Sequence, residues 1–188
     1  MAIRCFGLML ALVRCLITVS IALLLHVAPA SALLNSDSYD GNIYALYAGN
    51  GSLVPPPNTL EDSLAEGRTA VIVYYLDDSA VSKRFAPVVS ELQRLWGRNI
   101  DLLPLPTDPL QGREALGAGD PATYWSGAIP QVVVIGTDGR VVFDQNGQVP
   151  LGVINKAISA STGLPAPDLG RIDQEGSFNE VNIEVTAN

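Results

Sequence analysis

The spacing of hydrophobic residues changes character along the middle of the chain. Residues 69–76, TAVIVYYL, form an almost unbroken run of apolar and β-branched side chains, which is typical of a strand covered on both faces. Residues 79–96 place apolar side chains every three or four positions, and this period predicts a helix with one buried face. A second short apolar run follows at residues 99–103. Strand, helix and strand in this order predict a parallel βαβ unit.

Two further β-rich runs come later and predict a hairpin. They lie at residues 131–135 and 140–144. Asp138 and Gly139 stand between them, and this dipeptide is typical of tight turns that join antiparallel strands. The two runs are therefore expected to pair with each other.

The remaining segments after the βαβ unit are helical or irregular by pattern. Residues 150–161 have a helical spacing of apolar positions, and Gly163 behind them predicts the end of that helix. Residues 104–128 are rich in Pro, Gly and Ala, and one turn of helix is predicted near residues 110–116. The acidic residues 164–188 predict an irregular, flexible tail.

The segment before the first strand is polar and rich in turn-forming residues. Its one β-like stretch predicts a strand at residues 42–47, within an N-terminal extension at residues 33–58. Thr59 and Asp62 are spaced as in a capping box, with Asp in place of the usual Glu. They predict a short helix, which Gly67 would end.

Residues 1–32 have the three parts of a secretory signal. Arg4 and Arg14 supply positive charge, residues 15–25 are apolar, and a small-x-small pattern ends at Ala32. Cleavage is therefore expected after Ala32. The alternative is that the segment is retained as an uncleaved membrane anchor, since the apolar stretch at residues 5–30 is long enough to span a bilayer, although Arg14 interrupts it.

Cleavage would change the chemistry available to the protein. Cys5, Cys15 and His26 are the only cysteines and histidine, and all three lie in the signal segment. Residues 33–188 keep nine basic and all nineteen acidic residues, a formal net charge of −10. This charge argues against nucleic acid as a partner. Ser-His-Asp catalysis, Cys-His catalysis and the common zinc sites lack their residues.

The order of the predicted elements resembles the thioredoxin fold, an α/β class with a central mixed sheet in three layers. In that family the first βα turn carries Cys-x-x-Cys. Ser79 and Ser82 stand at those two positions here, and Pro87 follows five residues later as in the family. Ile129-Pro130, directly before the hairpin, corresponds to the family's cis-proline. The resemblance implies a thioredoxin-like domain at residues 59–163.

The two serines change what the resemblance implies for activity. Disulfide exchange needs a thiolate, and a serine hydroxyl cannot form the mixed disulfide. Dithiol chemistry is thus excluded for residues 33–188, although a thiol held by a second protein is not. The bland interpretation of Ser79 and Ser82 is that their hydroxyls satisfy free backbone N–H groups in the first helical turn.

Asp77 and Asp78 are the remaining candidates for chemistry. They follow the buried strand, where open α/β folds often place ligands, so they form a candidate site for a divalent cation or small substrate. The alternative is that Asp78 caps the following helix and Asp77 is solvated. No metal or cofactor is predicted.

Tyr124 and Trp125 lie just before the expected cis-proline. In thioredoxin-like proteins this face docks partner polypeptides, so both are candidate docking residues together with Asp77 and Asp78. The alternative is that they pack under the loop as core. Simpler roles are predicted for other residues: the core for Trp96, Phe85, Tyr74 and Tyr75, and a solvated helix face for Lys83 and Arg84.

Taken together, the signal, the extension beginning SYDGNIYALYAGNGSLVPPP, the cysteine-free fold and the acidic tail resemble the cyanobacterial thylakoid photosystem I accumulation factors. This resemblance implies an exported, non-catalytic protein of the thylakoid lumen or membrane; the periplasm is the alternative compartment. It further implies a protein partner, such as photosystem I subunits or assembly factors. Membrane association would come through residues 1–32 or through that partner.

Overall fold

The computed structural model describes residues 14–17 and 33–169, and the chain divides into two units, Met1–Ser31 and Ala32–Asn188. Residues 14–17 are helical. The rest of the predicted signal segment and residues 170–188 of the predicted tail lie outside the described residues. Within the described ranges, no helix is both long enough and apolar enough to cross a membrane.

Four helices and four strands make up the second unit as far as it is described. In chain order they are α1 (Ile43–Ala48), α2 (Leu60–Ala65), β1 (Ala70–Tyr75), α3 (Ala80–Trp96), β2 (Asp101–Pro106), β3 (Gln131–Ile135), β4 (Val141–Asn146) and α4 (Leu151–Thr162). Three short 3-10 turns lie at Gly51–Leu53, Asp108–Leu110 and Pro121–Thr123.

The four strands form one mixed sheet in the order β2-β1-β3-β4. Strand β1 runs parallel to β2, with Ala70 opposite Asp101, and antiparallel to β3, with Ala70 opposite Ile135. Strands β3 and β4 form the predicted hairpin around Asp138 and Gly139. The predicted βαβ unit, hairpin and final helix are all present, so the thioredoxin-like fold class is confirmed.

Every residue of β1 is buried, as the continuous apolar run predicted. Alternate side chains of a strand point to opposite faces, so β1 contributes to two separate hydrophobic clusters. Val71, Val73 and Tyr75 pack with residues of α1, α3 and α4. Ile72 and Tyr74 pack on the other face, with residues of α2 and the loops. The predicted core positions of Trp96, Phe85, Tyr74 and Tyr75 are all confirmed.

The predicted strand at residues 42–47 is wrong, because this stretch forms α1. The Asn42 side chain accepts hydrogen bonds from the N–H groups of Tyr44 and Ala45 and so caps the helix. Gly49 ends it in the left-handed conformation, with φ of 62°. Ile43 and Tyr44 then pack into the main core, which a short stretch of mixed pattern did not reveal.

Two other local expectations meet different outcomes. The capping box is confirmed: Thr59 Oγ1 accepts from the Asp62 N–H at 3.1 Å, and Asp62 Oδ2 accepts from the Thr59 N–H at 3.1 Å. The helical turn predicted at residues 110–116 is wrong, since only the turn Asp108–Leu110 forms. Gly112 behind it adopts a positive φ, which ends any helix there.

Strand β2 begins later and runs further than predicted, through Pro104 and Pro106. Proline lacks a backbone N–H, whereas in a central strand every N–H faces a neighbouring strand and needs an acceptor there. Because β2 is the edge strand of the sheet, its prolines are tolerated and the strand continues past the predicted end at residue 103. Its extension carries the chain to Thr107, beside the candidate site.

Candidate functional site

The turn between β1 and α3 places the two serines of the resemblance in different environments. Ser82 is buried, and its Oγ accepts a hydrogen bond from the Leu76 N–H at 3.1 Å. Ser79 stands at the N-cap position of α3, but its side chain makes no capping hydrogen bond. The Ser82 hydroxyl therefore satisfies a backbone donor at the end of β1, and not one in the first turn of the helix as the bland interpretation expected.

Residues 33–40, called the N-terminal strap below, cross the beginning of α3. Lys83 Nζ donates to Ser36 O at 3.0 Å, to Ser38 O at 2.7 Å and to Asp40 Oδ2 at 2.5 Å. The Lys83 side chain has no exposed surface. The prediction of a solvated lysine was wrong, because a segment more than forty residues earlier in the chain supplies its oxygen ligands.

Arg84, the next residue, does remain exposed and reaches Asn35 Oδ1 at 3.4 Å.

The strap also caps α3. Asp37 Oδ1 accepts a hydrogen bond from the Ala80 N–H at 2.8 Å, one of the N–H groups that a helix start leaves without a partner. The side-chain cap of the Ala80 N–H thus comes from Asp37 of the strap, whereas the sequence suggested Asp78, which is exposed. Together with the Lys83 contacts, this cap closes the strap over the part of the fold where thioredoxins carry their thiols.

Asp77 differs from its exposed neighbour Asp78. Burial raises the pKa of the Asp77 carboxyl above its ordinary value, and the negative charges of Asp108 and Asp78 raise it further, while a hydrogen bond from the Ile43 N–H opposes the shift. Within residues 14–17 and 33–169, no three His, Cys, Asp or Glu residues are grouped so as to hold a metal ion. The candidate pair is thus an acidic, partly buried corner at the end of β1.

The Ile129–Pro130 peptide bond is cis and directly precedes β3. Gln131, the first residue of β3, is buried and holds the loop before it: its Nε2 donates to Tyr124 O at 2.8 Å, and its Oε1 accepts from the Ser126 N–H at 2.9 Å. The only sequence signal for this role was a polar residue at the start of the apolar run QVVVI. Gln131 was not among the predicted site residues.

Tyr124 and Trp125 are both half-buried and pack against the Ile72–Tyr74 side of the sheet. The Trp125 ring lies 5.2 Å from the Tyr74 ring, centroid to centroid. The Tyr124 hydroxyl donates to Ala118 O at 3.0 Å. Each residue therefore has a structural contact and a solvent-facing part.

A groove of about 350 Å³ opens beside the cis-proline. It brings together the ends of β1 and β2 and the loop before β3, and its lining residues are Leu76, Thr107, Gln111, Gly112, Trp125, Gly127 and Ile129. Of the predicted site residues, Trp125 and Ile129 line this groove, and Asp77 directly follows the lining residue Leu76 in sequence. Tyr124, Ser79 and Ser82 do not line it.

Thr107 is the unexpected member of the groove. It is 1 % exposed, and within the described ranges its Oγ1 is the buried side-chain oxygen or nitrogen that has no hydrogen-bond partner. Buried polar atoms without partners are rare, and this one belongs to a residue that lines the groove although the atom itself is inaccessible to solvent. The sequence around Thr107 carries no signal for this.

Comparison with known proteins gives one curated relative. The thylakoid membrane protein slr1796 from Synechocystis is 36% identical over 157 residues, which cover 83% of this chain and 78% of the relative. No family model matches the chain.

Solved structures similar to this one include two thioredoxins. One is a variant thioredoxin from Halobacterium salinarum, with 18% identity and a TM-score of 0.44 over 56% of this chain and 85% of the other. The second is an exposed lipoprotein thioredoxin from Streptococcus pneumoniae, with 15% identity and a TM-score of 0.43 over 54% of this chain and 89% of the other.

Proposed function

The chain belongs to the family of the Synechocystis thylakoid membrane protein slr1796, and from this premise we propose that it is a thylakoid-associated protein-binding factor without redox activity. The finer proposal is that it supports the assembly or accumulation of photosystem I, the role implied by the sequence resemblance. Its partner is then a photosystem I subunit or another assembly factor. It acts in the lumen or at the thylakoid membrane and needs no cofactor.

The residues at two positions support the proposal that the protein has no redox activity. Ser79 and Ser82 lack the sulfur that disulfide exchange requires, and residues 33–188 contain no cysteine or histidine. The Ser82 hydroxyl is also committed to the Leu76 N–H. A serine with this contact serves the fold, so the proposed activity of the domain is binding rather than catalysis.

The observation that carries the proposal is the groove beside the cis-proline. Trp125 offers an aromatic anchor there, and the Thr107 hydroxyl has no partner but is buried, so a bound group reaches it only if the groove wall shifts. The loop of Gly127 and Ile129 that borders the groove at the strand ends suits an extended polypeptide segment. Asp77 and Asp108 directly follow the lining residues Leu76 and Thr107, so the segment it takes is expected to carry positive charge.

Affinity capture from solubilised thylakoid membranes tests this function. The processed protein is used as bait beside Thr107→Val and Trp125→Ala, with Ser79→Ala as a matched control outside the groove. Valine has the shape of threonine but no hydroxyl, so Thr107→Val leaves stability unchanged or slightly higher. Loss of one hydrogen bond to the partner, about 1 kcal/mol, lowers affinity by roughly fivefold.

We expect photosystem I subunits or an assembly factor to be enriched by the parent and by Ser79→Ala, and less by the two groove variants. Equal capture by all four proteins would show that the groove is not the binding surface. Enrichment of no thylakoid protein by the parent would overturn the function itself.

A second candidate is a small-ligand or divalent-cation binder, or an enzyme, that uses Asp77 and Asp78. The raised pKa of Asp77 at the end of a strand favours it, since perturbed carboxyl groups cluster at functional sites. Thermal unfolding is measured while Mg²⁺, Mn²⁺ or Ca²⁺ is titrated into the parent and into Asp77→Asn/Asp78→Asn. Saturable stabilisation of the parent alone would favour this candidate over the proposed one.

A further inference from the structure

We infer that Asp40 is the binding site for the α-amino group that cleavage before Leu33 creates. In the uncleaved chain the Leu33 N–H already donates to Asp40 Oδ2, at 3.3 Å. Hydrolysis of the Ala32–Leu33 peptide bond by a leader peptidase consumes one water and leaves a carboxylate on Ala32 and an ammonium on Leu33. The same nitrogen then faces the same carboxylate with a positive charge and three donor hydrogens.

The Asp40 carboxylate is held in place by hydrogen bonds from several parts of the fold, as a binding site for the ammonium requires. Its side chain is 10% exposed, and it accepts from Lys83 Nζ at 2.5 Å, from Tyr47 Oη at 2.6 Å and from Ser38 Oγ at 3.0 Å. These contacts come from α3, from α1 and from the strap itself. The carboxylate is therefore held in place before the terminus reaches it, so that binding the ammonium requires no rearrangement of Asp40.

Leu33 is held at its carbonyl as well as at its nitrogen. Its oxygen accepts from the Ser36 N–H at 3.1 Å, from Ser36 Oγ at 3.0 Å and from Lys83 Nζ at 3.4 Å. The Leu33 side chain stays exposed, so the new ammonium keeps part of its hydration and avoids most of the cost of burying a charge. The strap is thus fastened from the first residue that the expected cleavage leaves.

The strap itself carries two carboxylates and no basic residue. Asp37 and Asp40 supply two negative charges, and the buried Lys83 balances one of them. Arg84, on the exposed side of α3, reaches Asn35 and not these carboxylates. Tyr47 contributes a neutral hydroxyl from α1. An ammonium at Leu33 adds a cation beside the two carboxylates of the strap and turns the hydrogen bond between its nitrogen and Asp40 into an ion pair.

The sign of the pH dependence follows from this pairing. A carboxylate partner raises the folded-state pKa of the α-amino group above its ordinary value of about 7.7–8.0. The ammonium then stabilises the fold fully below that ordinary value, and the stabilisation is lost as pH rises through the raised folded pKa. Because Leu33 is exposed, solvent screening keeps this rise of the α-amine pKa small.

The test uses full-length chain processed by a leader-processing host. N-terminal sequencing of the product establishes its first residue. Half of the product is then acetylated selectively at its α-amine, and thermal unfolding of both halves is followed from about pH 6 to pH 10. The α-amine pKa is measured by NMR in the parent and in Asp40→Asn.

We expect a product that begins at Leu33, a higher Tm for the free amine than for the acetylated form at pH 6, and convergence of the two near pH 10. The elevated α-amine pKa should return to its ordinary value in Asp40→Asn. If Asp40→Asn does not fold, the inference is tested by the difference in Tm between the free-amine and acetylated forms across the pH range. A different first residue, or equal Tm values across the range, would overturn the inference.

Discussion

The Ser82 hydroxyl stabilises the fold and has no catalytic role in the proposed function. The thioredoxin-like turn normally carries reactive sulfur, and here Ser82 Oγ accepts from the Leu76 N–H while Ser79 makes no capping bond with its side chain. The two serines, equivalent by sequence pattern, therefore differ in energetic role. The two serines differ only in their hydrogen bonds, and the spacing Ser-x-x-Ser does not predict this difference.

This difference predicts unequal effects of alanine substitution. Ser82→Ala leaves the Leu76 N–H without its acceptor and should reduce the free energy of unfolding by about 1–2 kcal/mol. Ser79→Ala should stay within about 0.5 kcal/mol of the parent, as for substitutions away from such contacts. Urea unfolding followed by circular dichroism measures both. Equal losses in the two variants would contradict the assigned roles.

Asp77 provides a pH-dependent prediction at the same scale. Its pKa is raised by burial and by nearby carboxylates, so its charged form destabilises the fold at neutral pH. Asp77→Asn should therefore raise the Tm at pH 7 and still accept the Ile43 N–H. The gain should shrink as pH falls through the raised folded pKa and vanish below about 3.9, the ordinary value for aspartate.

Differential scanning calorimetry between pH 3 and pH 7 measures this gain, with the exposed Asp78→Asn as a matched control. A gain for Asp77→Asn that is independent of pH would indicate a packing effect instead of a titration.

Among the elements, α3 shows how a helix acquires its start from a distant segment. The strap supplies both the cap, through Asp37, and the counter-charge of Lys83, through Asp40. A buried lysine that loses its partner, or a buried carboxylate that loses its lysine, leaves an uncompensated charge. The strap and α3 are expected to form and to unfold together.

Substitution of Lys83 tests this coupling. Lys83→Met removes the ammonium that holds four strap residues, and should lower the Tm by at least several degrees and expose the strap to protease. Arg84→Met, at the adjacent exposed position, should change little. Thermal unfolding and limited proteolysis with N-terminal sequencing measure the two effects. A strap equally protected in both variants would contradict the coupling.

Another element contact ties the last helix to the segment behind it. The buried Trp96 indole N–H of α3 donates to Asn155 Oδ1 of α4 at 2.7 Å, and Asn155 Nδ2 donates to Pro167 O at 3.1 Å. Leu169 packs against the same core. The first residues after α4 are therefore held along the domain by one bridging amide.

For the molecule as a whole, charge is the property that most constrains partners. Residues 33–188 carry a formal net charge of −10, and Asp77, Asp78 and Asp108 add to the negative potential beside the groove. Such a surface repels anionic lipids and nucleic acid and attracts cationic polypeptide. The affinity of the proposed partner segment should thus depend on ionic strength.

Salt titration of the captured complex tests this expectation. Partner affinity should fall several-fold as NaCl rises from about 50 mM to about 500 mM, because added salt shortens the Debye length. The triple variant Asp77→Asn/Asp78→Asn/Asp108→Asn should bind more weakly and show a flatter salt dependence. Affinity that rises with salt would indicate an apolar partner and contradict the cationic one.

Local pattern was enough to predict much of this fold. The buried strand β1, the long helix α3, the hairpin at Asp138-Gly139 and the final helix α4 were each expected within two residues or so of their observed bounds. Their signals are periodic burial and turn chemistry, which act between residues close in sequence. The sequence also shows directly that Ser79 and Ser82 have no sulfur atom, since the identity of a side chain does not depend on folding.

Contacts between distant segments lay beyond that pattern. Helix α1 in place of a strand, the burial of Lys83 under residues 33–40 and the unpaired Thr107 hydroxyl all depend on segments that meet only after the chain has folded. A short sequence of mixed pattern adopts whichever conformation buries its apolar side chains best, and a lysine is buried only where several oxygens converge on it. Composition and periodicity thus determine the fold class and show which reactive side chains residues 33–188 lack. The groove, the strap and the position of the Asp40 carboxylate form only when segments distant in sequence come together in the folded chain.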